Sequence, residues 1–125
     1  MKKVTMKQLL FLVLFLFGVA GTSQAQVCKL PNSDDTVEVF SATFEGNNKV
    51  KVVVSNDSQE VSANVTVTVR VTYVGTRDKI TKEFTDKGRA LPNQSTEILI
   101  AIDETCNGRM PKSVEAISIT GTKCK

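Results

Sequence analysis

Histidine and tryptophan are absent from this 125-residue chain, which has a single tyrosine and three prolines. Without histidine there can be no Ser-His-Asp or Cys-His nucleophile, and the commonest metal ligand is missing as well. Without tryptophan, and with Tyr73 falling on an apolar face, the chain has no aromatic platform for stacking a sugar. The seven glycines are scattered singly among turn signals, so no glycine-rich loop is built to cradle a phosphate. The acidic pairs Asp34-Asp35 and Asp103-Glu104 lack the Asp-x-Asp-x-Asp frame of a calcium loop and read as solvated turn residues. An enzyme is not expected, and neither a cofactor nor a metal is implied.

The chain also has only one long apolar run, from Leu9 to Phe17, preceded by Lys2, Lys3 and Lys7 with no acid among them. A membrane-crossing helix needs about 20 apolar residues, whereas a signal-peptide core needs roughly 7–15. The run fits the second, which predicts an exported protein without a stable membrane anchor. Ser23 and Ala25 supply the small side chains a signal peptidase requires, so cleavage is expected between Ala25 and Gln26, with Ala20 as the second choice. Lipid attachment at Cys28 is disfavoured, because bulky Val27 stands where a small residue is needed.

Residues 1–25 are thus read as a signal peptide and residues 26–125 as one domain. Of the 16 basic residues, three lie in the signal, which leaves 13 against 13 acids in the exported part. A neutral domain gains little from a phosphate backbone or an anionic membrane, so nucleic acid is not an expected partner. Export places Cys28, Cys106 and Cys124 where thiols oxidise, and three cysteines make one bridge and one leftover thiol.

Alternation at period two marks the strands. It is clearest over residues 63–74, where Val65, Val67, Val69, Val71 and Tyr73 share one face while Thr66, Thr68, Arg70 and Thr72 share the other. Lys49 to Asn56 repeats the pattern through Val50, Val52 and Val54; Ile98, Ile100 and Ile102 form a third case and Ile117 with Ile119 a fourth. Val37 to Glu45, with Phe40, Ala42 and Phe44 on one face, and Lys79 to Asp86, with Ile80 and Phe84, are further candidates. Breakers fall at 46–48, 56–58, Gly75, Gly88, 91–93, and Asn107-Gly108 with Pro111. Six to seven strands in about 100 residues predict an all-β fold, an antiparallel β-sandwich, because sheets with one apolar face must cover it with another.

Strand parity bears on the cysteines. If six main strands alternate in direction, Cys28 and Cys124 lie at one end and Cys106 at the other, roughly 33 Å away along a ten-residue strand. Bridged Cα atoms lie within about 7 Å, which favours Cys28–Cys124 and leaves Cys106 as the free thiol. An unpaired Cys106 is either a buried or inert thiol, or else a reactive thiol or the means of a disulfide-linked dimer. Asn56, Asn64 and Asn93 each open an Asn-x-Ser/Thr pattern, a number close to what chance gives. The Thr66, Thr68 and Thr72 face reads as an ordinary solvated strand face.

The run Val50-Lys51-Val52-Val53-Val54-Ser55-Asn56-Asp57-Ser58, the alternating strand ending in Tyr73, and Leu91-Pro92-Asn93-Gln94-Ser95 together resemble the FxLYD-type immunoglobulin-like domains of exported prokaryotic proteins. The resemblance covers residues 37–120, with Thr72-Tyr73-Val74 standing at the family's Leu-Tyr-Asp and Asn93 at its turn glycine. It implies an immunoglobulin-like sandwich and export, and no activity. The expected function is a non-enzymatic binding or assembly module of the periplasm, cell surface or secreted fraction, acting on a protein partner. The alternative is a small secreted inhibitor or effector acting through residues 106–112, where Arg109, Met110 and Lys112 form the most basic irregular segment.

Overall fold

The computed structural model describes residues 26–121; residues 1–25, read above as a signal peptide, and Cys124 lie outside the described residues. Seven strands make up the described chain: β1 (Gln26–Lys29), β2 (Thr36–Phe44), β3 (Lys49–Asn56), β4 (Ala63–Val74), β5 (Lys79–Ala90), β6 (Gln94–Ala101) and β7 (Met110–Gly121). They form two antiparallel sheets, ordered β1-β2-β3-β6 and β5-β4-β7, so the all-β, two-sheet expectation holds. Among the described residues no helix is long and apolar enough to cross a membrane.

The core lies between the two inner faces and is dominated by valine. Val37 and Val39 of β2, Val50, Val52 and Val54 of β3, and Ile98 and Ile100 of β6 face Val65, Val67, Val69, Val71 and Tyr73 of β4 with Val114, Ala116 and Ile119 of β7. Branched side chains with one free torsion suit a pleated surface and lose little rotamer freedom when packed. Ile80 and Phe84 of edge strand β5 cover the flank while remaining partly exposed.

Two β-bulges overturn details of the alternation. The β2–β3 register jumps at Phe40, which leaves that ring 70% exposed instead of facing inward with Ala42 and Phe44. One extra residue shifts the phase of everything after it, so Val37 and Val39 fill the inner face before the bulge and Ala42 after it. The β4–β7 register jumps likewise at Ile117, and the inward residues are Ala116 and Ile119 rather than Ile117 and Ile119.

Two breakers lie inside strands. β5 runs four residues beyond Asp86 because Gly88 marks a close approach of the two sheets: a Cβ there would stand 2.6 Å from Ile98 Cγ1. Pro111 sits within β7, whose position at a sheet edge tolerates a residue without an N–H.

The registers also assign ends to the cysteines. Cys28 pairs with Val37, Val37 with Asn56, and Asn56 donates to the Ala90 carbonyl, whose strand partner is Ala63; two residues into β4, Val65 pairs with Gly121. Cys28 and the end of β7 therefore share one end of the sandwich. Cys106 lies at the other, beyond the Lys49–Ala101 pair.

Candidate functional site

The Cys106 end of the sandwich brings two turns together. Gly75–Asp78 joins β4 to β5 and is closed by Gly75 N–H donating to the Asp78 carbonyl at 2.8 Å. In the connection from β6 to β7, Cys106 and Arg109 exchange both backbone hydrogen bonds at 2.9 Å around Asn107 (φ 52°) and Gly108 (φ 79°). Two successive left-handed residues define the mirror-image turn that Asn-Gly adopts most readily. The segment read as irregular loop is thus an ordered miniature hairpin running directly into β7.

Arg109 locks the two turns to each other. Its Nε donates to Asp78 Oδ1 and its Nη2 to Asp78 Oδ2, both at 2.9 Å, while Nη1 donates to the Asn107 carbonyl at 3.3 Å. The forked geometry matches a planar guanidinium to a carboxylate. Gly75 leaves room for the arginine stem, since a Cβ there would stand 3.0 Å from Arg109 Cγ. The guanidinium's hydrogen bonds hold the Asp78 carboxyl below its ordinary pKa.

A depressed carboxyl pKa contributes stability that is fully present above the unfolded value, about 3.9, and is lost as the pH falls through the folded one. The contacts between the two turns are therefore expected to loosen below about pH 4 while the sheets persist. Amide hydrogen exchange at Gly75 and Arg109 should rise in that window. In an Arg109→Gln variant the same amides should exchange faster at neutral pH and lose the acid step.

Beneath the turns, core and surface are joined through Asp103. The buried Tyr73 hydroxyl donates to the Asp103 carbonyl at 2.7 Å, and Lys82 Nζ donates to Asp103 Oδ2 at 2.6 Å while lying 5.6 Å from the Phe84 ring centre. The hydrogen bond to Asp103, and then its charge, raise the pKa of Lys82. Cys106 is a free, half-buried thiol packed against the core. A shallow depression of about 330 Å³ separates the Gly75–Asp78 and Asn107–Arg109 turns.

The structure divides the residues expected in the 106–112 segment. Arg109 belongs to the turn cluster, whereas Met110, 52% exposed, pairs with Val74 as the first residue of β7, and Lys112 is skipped by the β4–β7 register. Gln26 opens β1 and donates through Nε2 to the Ala116 carbonyl at 3.3 Å. Cys28 lies in the core at 4% exposure. Of the acidic pairs, Asp34 contacts Lys29 at 3.2 Å and Asp103 holds Lys82; no cluster of three or more metal-ligating side chains occurs among the described residues. The outer face of β4 is cross-linked to its neighbours by Thr68–Thr85 at 2.8 Å and by Arg70 between Glu83 and Glu115.

Three contributors escape the sequence: Asp78 and Lys82, whose partners are 31 and 21 residues away, and Asn56. Asn56 is read in the sequence as a strand end, a turn residue and a glycosylation pattern, yet it is 1% exposed and every polar atom of its amide is engaged. The other two patterned asparagines, Asn64 and Asn93, are exposed. No family model matches the chain, and searches of curated proteins and of solved structures return no match.

Proposed function

We propose that this chain is an exported, non-enzymatic binding or assembly module that presents the Gly75–Asp78 and Cys106–Arg109 turns to a protein partner. The observation that carries the reading is the forked Arg109–Asp78 pair, which fixes two turns as one rigid surface before any partner arrives. Recognition concentrates on loops held by a rigid scaffold, and surfaces ordered in advance lose less entropy on binding.

The scaffold is immunoglobulin-like. In support, β3 pairs with β6 in one sheet and β4 with β7 in the other, the same interlocked three-strand spacing as the B–E and C–F pairs of an immunoglobulin domain. The resemblance to FxLYD-type domains rests on the Val50–Ser58 run, the alternating strand ending in Tyr73 and the Leu91–Ser95 turn. Export and cleavage after Ala25 rest on the basic start, the short apolar run and the small residues that follow it.

A Cys28–Cys124 bridge belongs to the same reading. Cys106 is the free thiol, Cys28 is not a free thiol, and Cys28 shares its end of the sandwich with the strand that leads to Cys124. The narrower reading, a secreted inhibitor or effector working through residues 106–112, is favoured by the exposed Met110 beside the turn, since methionine and arginine are enriched in protein interfaces.

The test is cross-linking and affinity capture from the native envelope and secreted fractions, comparing the wild type with an Arg109→Ala/Lys112→Ala double variant. Loss of the partner by about tenfold or more is expected if the turn surface carries the contact. Equal recovery by wild type and variant would overturn the choice of surface, and a wild type that captures nothing would overturn the binding function itself.

A further inference from the structure

The four sheet edges are not equally defended. An open edge is a template for pairing with another chain, and proteins blunt it with short strands, bulges, proline or inward-pointing charge. Edge strand β1 has four residues, and the part of β2 beyond it carries the Phe40 bulge. β7 contains Pro111 and two register jumps, at Lys112 and Ile117. β5 places Lys82 and Asp86 at inward positions, alternating in step with Ile80, Phe84 and Gly88.

Strand β6 has none of these devices. All eight of its residues pair in unbroken register with β3, and its sequence, Gln94-Ser95-Thr96-Glu97-Ile98-Leu99-Ile100-Ala101, contains no proline, no lysine or arginine and no bulge. The Ile102 N–H donates to the Asn48 carbonyl at 2.9 Å, which fixes the phase of the ladder. Even-numbered residues direct their backbone groups to β3, so Ser95, Glu97, Leu99 and Ala101 direct theirs to the edge, where no strand among the described residues pairs with them. Leu99 is also 46% exposed on the outer face.

We propose that this edge pairs antiparallel with the β6 of a second copy of the chain, two-fold about Ile98, joining two four-stranded sheets into one of eight strands. The register follows from charge. A dyad at Glu97 sets Glu97 against its own copy, and like charges directly opposed are destabilising. A dyad at Leu99 shortens the overlap to three outward-facing pairs and brings Asp103, already held by Lys82, opposite Ser95. A dyad at Ile98 matches all four outward residues, Ser95 with Ala101 and Glu97 with Leu99, each pair twice, and separates the two glutamates. The surface is small, so the dimer is weak and concentration-dependent. This goes beyond the proposed binding function and needs neither export nor Cys106.

Sedimentation velocity on the chain, purified as its cells process it, tests the pairing over a concentration series reaching about 200 µM, the range in which a small interface declares itself. A monomer–dimer equilibrium that persists in reductant is expected; a monomer throughout, or a dimer abolished by reductant, overturns the proposal. The register is tested by opposite charges at one exposed position. Leu99→Glu faces Glu97 of the other copy twice and Leu99→Lys attracts it twice, so the lysine variant should dimerise at least about tenfold more tightly than the glutamate variant. Equal weakening by both overturns it. Phe40→Glu, at the most exposed ring on the same sheet, should leave dimerisation unchanged; loss of the dimer there would show hydrophobic association in place of edge pairing.

Discussion

Replacing Asn56 with alanine is expected to destabilise the domain by about 4 kcal/mol, a large share of the roughly 5–15 kcal/mol that holds a domain of this size together. Asn56 ends β3, where the chain must cross from one sheet to the other through residues 57–62. Its Nδ2 donates to the carbonyls of Val61 at 2.8 Å and Ala90 at 3.0 Å, and its Oδ1 accepts the Ser58 N–H at 2.9 Å. One side chain thus ties β3, the crossover and the end of β5. Alanine would strand two carbonyls and one N–H in a region where Asn56 and Ser58 are each 1% exposed, and each orphaned group costs about 1–3 kcal/mol.

Urea unfolding should show the loss as a lower midpoint at unchanged slope, with a melting temperature down by on the order of 20 °C. Asn56→Asp separates polarity from pairing. The carboxylate still accepts from Ser58 but presents oxygen to two carbonyl oxygens, so the aspartate variant should be no more stable than alanine at neutral pH. It should recover part of the loss in acid, where a protonated carboxyl can donate once. The same burial closes Asn56 to glycosylation once the domain has folded.

The asparagine also shows where sequence reasoning reaches and where it stops. Alternation located β3 and β4 to the residue, because both strands are internal to their sheets and have one face fully buried, which leaves no freedom of phase. It mistook the phase of β2 and β7, where a single bulged residue reverses the faces. Phe40 looks like core in the sequence and lies in solvent, because a bulge depends on how two strands meet and neither strand announces it alone.

Gly88 and Pro111 mislead for a related reason. Each is a breaker by local propensity, and each is accommodated by tertiary position: one where Ile98 presses against the strand, the other at an open edge. The candidate site was half legible. Asn107-Gly108 signals its turn directly, but Asp78, which holds that turn through Arg109, and the neighbouring Lys82–Asp103 pair are contacts between residues far apart in sequence. Nothing in the spacing of Arg109 from Asp78 identifies the acid that receives it.

Tyr73 supplies the other large effect, and its two parts can be measured separately. It is the largest fully buried side chain, at 0% exposure, and its hydroxyl reaches Asp103 at the turn cluster. Tyr73→Ala should cost about 3–5 kcal/mol through the lost apolar contact and the cavity left between the sheets. Tyr73→Phe keeps the ring and should cost about 1 kcal/mol, the value of a single hydrogen bond. The phenol's pKa is raised, first by desolvation and then by the Asp103 carboxylate, against the opposing influence of Lys82. A raised phenol pKa means that the folded state holds its proton more tightly than the unfolded chain. That stability is fully present below the unfolded value of about 10 and is lost as the pH climbs from there through the folded value. Lys82, also raised, loses its contribution in the same direction, so alkaline unfolding of the wild type reports both groups. The phenylalanine variant isolates the phenol: it should be less stable than wild type at pH 7 and converge on it as the pH rises above about 10. A gap between the two proteins that stays constant across that range would mean that the Tyr73 proton plays no part in holding the core to the turn cluster.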